Sequence, residues 1–195
     1  MFQLTKYFVR EHAGILKLTD VYDIIDPATN QPVGIAVENP GALFKWLRLV
    51  VNKQLLPTKV EVREREDGPV QLSIHRGFTL LRAKVSVCDG DGQELGFFKS
   101  KLFSLGGGFF VYGKTGEQVA QVKGDWKGWN FKFLDASGRE LGTITKKWAG
   151  IGKELFTSAD NYMIALNDNL QQNPTLVALL LAAGLAIDVV FKERG

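Results

Sequence analysis

Few residues of this chain have the types and spacing that chemistry requires. The two histidines, His12 and His75, lie far apart in sequence and form no H-E-x-x-H pair, and the one cysteine, Cys88, can build neither a cysteine-rich zinc site nor an internal disulfide framework. No G-x-S-x-G nucleophile elbow and no phosphate-binding P-loop occurs. Gly106, Gly107 and Gly108 are consecutive but fall between aromatic, strand-like runs, which suits a bend better than a phosphate cradle. Asp188, near the end of an apolar run, reads as an acid that is hydrogen-bonded or exposed at a mouth rather than as a proton carrier. These residues point away from an enzyme, and no cofactor is expected.

The candidates that remain are cationic and aromatic. Lys99 and Lys101 stand two apart, so on a strand they share the face opposite Phe98 and Leu102. Arg82 and Lys84 pair in the same way one strand earlier, with Arg76 at the approach. If the strands are neighbours and both pairs face outward, they form a basic patch worth about 1 kcal/mol per residue near an anionic lipid surface. The alternative is an ordinary solvated wall. A helix is predicted over residues 41–56, where Lys45, Arg48 and Asn52 make one narrow polar stripe among apolar residues that include Trp46, and Pro57 ends it. Such a helix either closes one end of a container or lies in a membrane interface, anchored by Lys45, Trp46 and Arg48.

A container is demanded by the last apolar stretch. Residues 174–191 read as a helix, with Asn173 as cap and Pro174 in the first turn, and no polar face interrupts it between Leu176 and Ile187. Lipid or protein must enclose it. Asp188 cuts the run short of the roughly 20 apolar residues that a membrane span wants, which favours protein.

The rest of the chain supplies strands. Lys6 to Arg10, Leu16 to Ile25 and Pro32 to Glu38 are rich in β-branched and aromatic residues. From Lys59 to Lys147, turn signals begin at Asp67, Asp89, Gly113 and Asp135, which are 22, 24 and 22 residues apart, with opposing breaks near Gly77, Gly108 and Gly128. VCDGDGQELG at Val87–Gly96 echoes FLDASGRELG at Phe133–Gly142. Leu81, Ala83, Val85 and Val87 alternate with Arg82, Lys84 and Ser86, and Trp129, Phe131 and Phe133 with Asn130 and Lys132. An antiparallel meander of this kind leaves exposed edges unless it closes, and a closed barrel with a dry interior would take the apolar helix. A length of 195 residues with 45% hydrophobic and 23% charged composition fits one domain over 1–195, and a net charge of +3 is too small to argue for nucleic acid. The N-terminus alternates like a strand and lacks a signal-peptide core, so a cytoplasmic protein is expected.

The segment KKWAGIGKELFTSADNY at Lys146–Tyr162, followed by the apolar helix ending at Ile187 and Asp188, resembles the C-terminal part of the phospholipid scramblase family. Tyr7 to Glu11 and the Leu18 to Asp26 region resemble the related LURP-one proteins, so the resemblance covers nearly the whole chain. It implies a tubby C-terminal-like fold, mainly β, in which about twelve strands close around a central hydrophobic C-terminal helix. In scramblases a segment opening Asp-Ala-Asp-Asn-Phe and closing at Asp is the proposed calcium loop. Here Ser158 and Asn169 stand at the opening and closing acids while Asp160, Asn161 and Asp168 remain, so calcium affinity is expected to be weak or absent. Asp160 and Asn161 are then expected to shape a turn before the last strand. The proline-rich extension and palmitoylated cysteine cluster of eukaryotic scramblases have no counterpart, and constitutive anchoring is not expected. The chain is therefore read as a non-enzymatic barrel of the scramblase and LURP-one group, a lipid-associating or scaffold-like intracellular module expected to bind peripherally to anionic phospholipid at the inner face of the plasma membrane. A soluble intracellular barrel that binds a ligand or protein, and phospholipid scrambling itself, are the alternatives.

Overall fold

The structure, a computed structural model, describes residues 1–12, 19–47, 56–77, 84–100, 108–125, 128–146 and 161–188. Twelve strands make one closed antiparallel barrel: β1 (Lys6–Glu11), β2 (Val21–Asp26), β3 (Gln31–Glu38), β4 (Thr58–Arg63), β5 (Val70–Arg76), β6 (Lys84–Asp89), β7 (Glu94–Ser100), β8 (Gly108–Gly113), β9 (Gln118–Asp125), β10 (Asn130–Leu134), β11 (Glu140–Thr145) and β12 (Tyr162–Leu166). Each pairs with the next in sequence, and β12 closes onto β1 with Tyr7 opposite Ile164 and Val9 opposite Tyr162. Closure leaves no edge strand unpaired.

The repeated turn signals become tight hairpins at one rim, here the lower. At the β6–β7 turn, Asp89 Oδ1 accepts from the backbone N–H groups of Asp91 (3.0 Å) and Gln93 (2.8 Å), and Gly92 takes φ +80°. The β10–β11 turn repeats this with Asp135 Oδ1, Ser137 (2.8 Å), Arg139 (3.0 Å) and Gly138 at φ +86°. Both turns adjoin a register shift, after Val87 and after Phe133. The carboxylate thus does the work of a missing backbone acceptor, and glycine takes the left-handed conformation that a side chain resists. The sequence echo is a structural one.

Residues 13–18, 48–55, 78–83, 101–107, 126–127 and 147–160, which come in sequence between the strand ends of the upper rim, lie outside the described residues. The predicted helix over 41–56 is described as α1 (Ala42–Leu47), with 48–55 outside. The strand expected at Leu16–Ile25 is described from Val21 onward, 13–18 lying outside.

After β12 the chain makes a 3-10 turn (Asp168–Gln172) and enters the barrel from the lower rim as α2 (Pro174–Ala186). Asn173 Oδ1 accepts from Leu176 N–H (3.0 Å) and Pro174 occupies the first turn, as the cap signals predict. Every residue from Val177 to Ala186 is buried. Around them stand the inward residues of the strands, among them Tyr7, Ile24, Val62, Ile74, Val87, Phe98, Val111, Phe131 and Ile144. Burying a leucine contributes about 1.5–3 kcal/mol relative to exposure, and Leu179, Leu180, Leu181 and Leu185 are all enclosed. The fit is tight at Gly184, where a Cβ would lie 2.4 Å from Ile164 Cδ1. Gly96 on β7 is similar, its Cβ position being 2.2 Å from the Tyr112 carbonyl and 3.0 Å from Leu179.

Beyond Ala186 the helix widens into a π turn at Ile187 and Asp188, and the rest of the 174–191 prediction lies outside the described residues. Asp188 is 3% exposed and its Oδ2 accepts from the Tyr22 hydroxyl on β2 (2.8 Å). Burial, and then the Asp188 charge, push the Tyr22 phenol far above its ordinary range, so it remains a donor. Asp188 is therefore held by a hydrogen bond at the upper end of the interior, as one of the two expected readings has it.

Candidate functional site

The alternation of β6, β7 and β8 decides what the outer wall presents. Val85, Val87 and Phe98 point in, so Lys84 and Lys99 point out, and the register sets them directly opposite each other. The expectation that the two strands are neighbours therefore holds. Beneath the two ammonium groups lies an aromatic floor. Phe97 and Tyr112 stack with centroids 5.0 Å apart and planes at 16°. Lys84 Nζ sits 4.4 Å above Phe97, and Lys99 Nζ lies 5.1 Å from Phe97 and 5.4 Å from Tyr112, within cation–π range. Lys84 is also held 3.1 Å from both carboxylate oxygens of Glu94. Lys99 has no carboxylate partner among the described residues.

Sequence reasoning missed the aromatic floor, although its signal was available. Phe97 precedes Lys99 by two and must share its face, and Phe110 and Tyr112 alternate with the buried Phe109 and Val111. Farther round the wall Lys123 is exposed, and at the upper rim Lys146 Nζ lies 4.5 Å over Trp129, neither of them singled out from sequence.

Other predicted members are placed differently. Trp46 in α1 is 69% exposed, the one large hydrophobic residue so exposed among those described, and Lys45 lies in the same helix. Arg48, Arg82 and Lys101 lie outside the described residues. Arg76 corrects the expected outer patch. It follows Leu72 and Ile74 in the inward register of β5, is 5% exposed, and its Nη2 donates to the Leu56 carbonyl (3.2 Å), so it belongs to the rim rather than the wall.

The upper rim beside α1 is polar. Glu38 at the end of β3 is 1% exposed and accepts from Thr58 Oγ1 (2.6 Å) and from Asp20 N–H (3.3 Å). In front of Thr58 opens a groove of about 480 Å³ lined by Asn39, Thr58, Lys59, His75 and Arg76 among others. A second groove of about 350 Å³ continues from Lys59 and His75 down the outside of β5 and β6, past Ser73, Cys88 and Asp89. His75 Nε2 and Ser73 Oγ are 2.9 Å apart. Burial, followed by the charge of Lys59, lowers the His75 pKa against a smaller pull from Glu61. Burial, and then Glu94 and Asp89, raise the Cys88 thiol, which leaves it protonated and a poor nucleophile.

The segment compared with a calcium loop is divided by β12. Asn161, 5% exposed, precedes the strand at the upper rim, while Asp168 follows it at the lower rim and accepts from Thr5 Oγ1 (2.9 Å). β12, five extended residues or roughly 17 Å long, and then Asn167 lie between them, whereas calcium takes its oxygens at about 2.3–2.6 Å. The structure does not bring Asn161 and Asp168 together, and Asp160 lies outside the described residues. Among the described residues no group of three or more His, Cys, Asp and Glu side chains is placed to hold a metal ion, and no helix is long and apolar enough to cross a membrane.

Comparison with known proteins gives a family match. The sequence profile of the Scramblase family matches residues 22–194. Altered inheritance rate of mitochondria protein 25 of Saccharomyces cerevisiae is 26% identical over 98 residues, which cover 43% of this chain and 30% of that protein. The matched stretch is thus under a third of that relative's length. No solved structure gives a significant match.

Proposed function

We propose that this chain, which belongs to the Scramblase family, is a non-enzymatic barrel that associates peripherally with anionic phospholipid at a cytoplasmic membrane face. The observation that carries the reading is the outer wall of β6–β8, where Lys84 and Lys99 stand side by side over a stacked pair of aromatic rings. An ammonium group on an aromatic floor keeps its charge at the surface while the rings offer apolar area to the headgroup region. Lys99 makes the larger electrostatic contribution, because Glu94 offsets the charge of Lys84. Trp46 stands exposed in α1, and Trp rings favour the membrane interface.

The test is co-sedimentation with vesicles of phosphatidylcholine, with and without phosphatidylserine. Binding is expected only to the anionic vesicles and falls with added salt. Lys99→Glu replaces one favourable charge by one unfavourable one, about 2 kcal/mol or roughly thirty-fold in affinity. Equal, negligible sedimentation with both vesicle types would remove the membrane reading in favour of a soluble partner.

A further inference from the structure

Next to the aromatic floor the outer wall changes chemistry. Leu72, Ile74, Val85 and Val87 point inward, so Ser73 and His75 on β5 and Ser86 and Cys88 on β6 share the outer face. The register sets Ser73 opposite Cys88 and His75 opposite Ser86, which makes His75 and Cys88 diagonal neighbours. Both line the groove of about 350 Å³ that runs down these strands. Cys88 is a free cysteine whose thiol makes no hydrogen bond among the described residues. His75 Nε2 lies 2.9 Å from the Oγ of Ser73, a residue only 4% exposed. That bond turns the imidazole from its own row toward the row that holds Cys88.

A thiol and an imidazole in one groove are donors for a soft metal ion, and their number decides which. Zinc in a structural site takes four protein ligands, whereas among the described residues no third His, Cys, Asp or Glu is placed to complete a set. Asp89 is engaged in its own turn, where Oδ1 accepts from Asp91 and Gln93, and Glu94, opposite Cys88, holds Lys84. A monovalent ion with a filled d shell is satisfied by one thiolate and one nitrogen. We infer that Cys88 and His75 bind copper(I), with Ser73 as a positioning residue. Bonds of about 2.0 Å to nitrogen and about 2.3 Å to sulfur join donor atoms roughly 4 Å apart. Diagonal neighbours on a sheet stand about 7–8 Å apart, and the two side chains span the difference. In the complex Nε2–H donates to Ser73 Oγ, which leaves the Nδ1 lone pair for the ion, as a partner on the other nitrogen commonly does for a ligating histidine. On binding, the S–H bond breaks, the sulfur electron pair bonds the ion and the proton passes to water. One positive charge replaces another, so the net charge seen by Lys59, Glu61, Lys84, Asp89 and Glu94 is unchanged. Lys59, opposite His75 on β4, therefore does not oppose a monovalent ion as it would a divalent one.

The experiment titrates the full chain, without oxygen, with copper(I) held by the coloured chelator ferrozine. A single equivalent is expected to pass to the protein. The His75 ring signals should shift in the NMR spectrum while those of His12, paired with Asp23 at 2.8 Å, stay in place. Cys88→Ser should weaken binding about a hundredfold, and His75→Gln and Ser73→Ala about tenfold each. Thermal unfolding of each variant without copper checks that the barrel is intact. Zinc at equal concentration should not displace the copper. Failure of the protein to withdraw copper(I) from ferrozine overturns the inference, as does displacement by zinc. Binding by His75→Gln equal to that of the parent also overturns it, because the thiol would then act alone. Lys99→Glu, which tests membrane association, should leave the copper affinity unchanged, so the two readings fail separately.

Discussion

The two rims of the barrel are built from different materials. At the lower rim short turns saturate their own hydrogen bonds, with Asp89 and Asp135 as local acceptors and Gly92, Gly116 and Gly138 at positive φ. At the upper rim polar groups are buried against partners distant in sequence: Glu38 with Thr58, Arg76 with Leu56, Tyr22 with Asp188. The exceptional backbone conformations follow the same division. Asn30, in a lower-rim turn, has φ +56°, which asparagine tolerates, whereas Trp129 at the upper rim has φ +48°, which a bulky residue resists. Local devices close one end cheaply, and the other end carries the buried polar pairs and the exposed Trp46. Strain and buried charge tend to gather where a protein meets its ligands.

The largest effect is expected where both rims depend on one element. Gly184→Arg in α2 places a Cβ against Ile164 and a charge in an apolar interior, which costs several kcal/mol or more. No soluble folded protein should be recovered, and Leu180→Asp should behave alike. Leu180→Ala, a milder probe, should fold but lose about 2–5 kcal/mol in denaturant unfolding. Recovery of Gly184→Arg with near-native melting would mean that the helix is not enclosed by the strands.

A pair of substitutions sharpens the contrast between the rims. Tyr22→Phe removes the hydroxyl that donates to Asp188 and should cost about 2 kcal/mol, because the acceptor is a buried carboxyl group. The loss should shrink in a double-mutant cycle with Asp188→Ala. Gly138→Ala at the lower rim forces a side chain to φ +86° in open space and should cost about 1 kcal/mol. Thermal unfolding of both variants orders them. A larger loss for Gly138→Ala would reverse the distinction between local and long-range devices.

This division also explains what could be read from the sequence. Lower-rim turns are local, so their Asp and Gly residues announced them, and the echo between Val87–Gly96 and Phe133–Gly142 emerged as one turn used twice. The all-round apolar helix and the alternating strands required each other, which made the barrel legible too. Partners at the upper rim were not legible, because no local pattern shows that Glu38 will meet Thr58 or that Tyr22 will meet Asp188 across the whole chain. Arg76 was misread for a related reason. Its charge suggested the outside, while the register of β5, visible in Leu72 and Ile74, turned it inward. The Phe97–Tyr112 floor, in contrast, could have been found by applying to the aromatic residues the alternation already applied to the lysines.

The smallest expected effect is that of calcium. A site that used both Asn161 and Asp168 would have to join the rims, yet β12, roughly 17 Å long, and then Asn167 stand between them, and Asp168 already accepts a hydrogen bond from Thr5. Moving either residue to a shared ion would require β12 to leave its register with β1 and β11, which pair it through Ile164 on both sides. The ladder bonds and the burial of Tyr162 and Ile164 oppose that movement, and one ion held by few carboxylates offers little against them. Micromolar calcium should therefore leave the melting temperature unchanged, as should magnesium, when measured on chelator-treated protein. A calcium-specific rise that disappears in Asp168→Ala would show that the chain can bring its two rims to one ion, and would undo the separation of roles argued above.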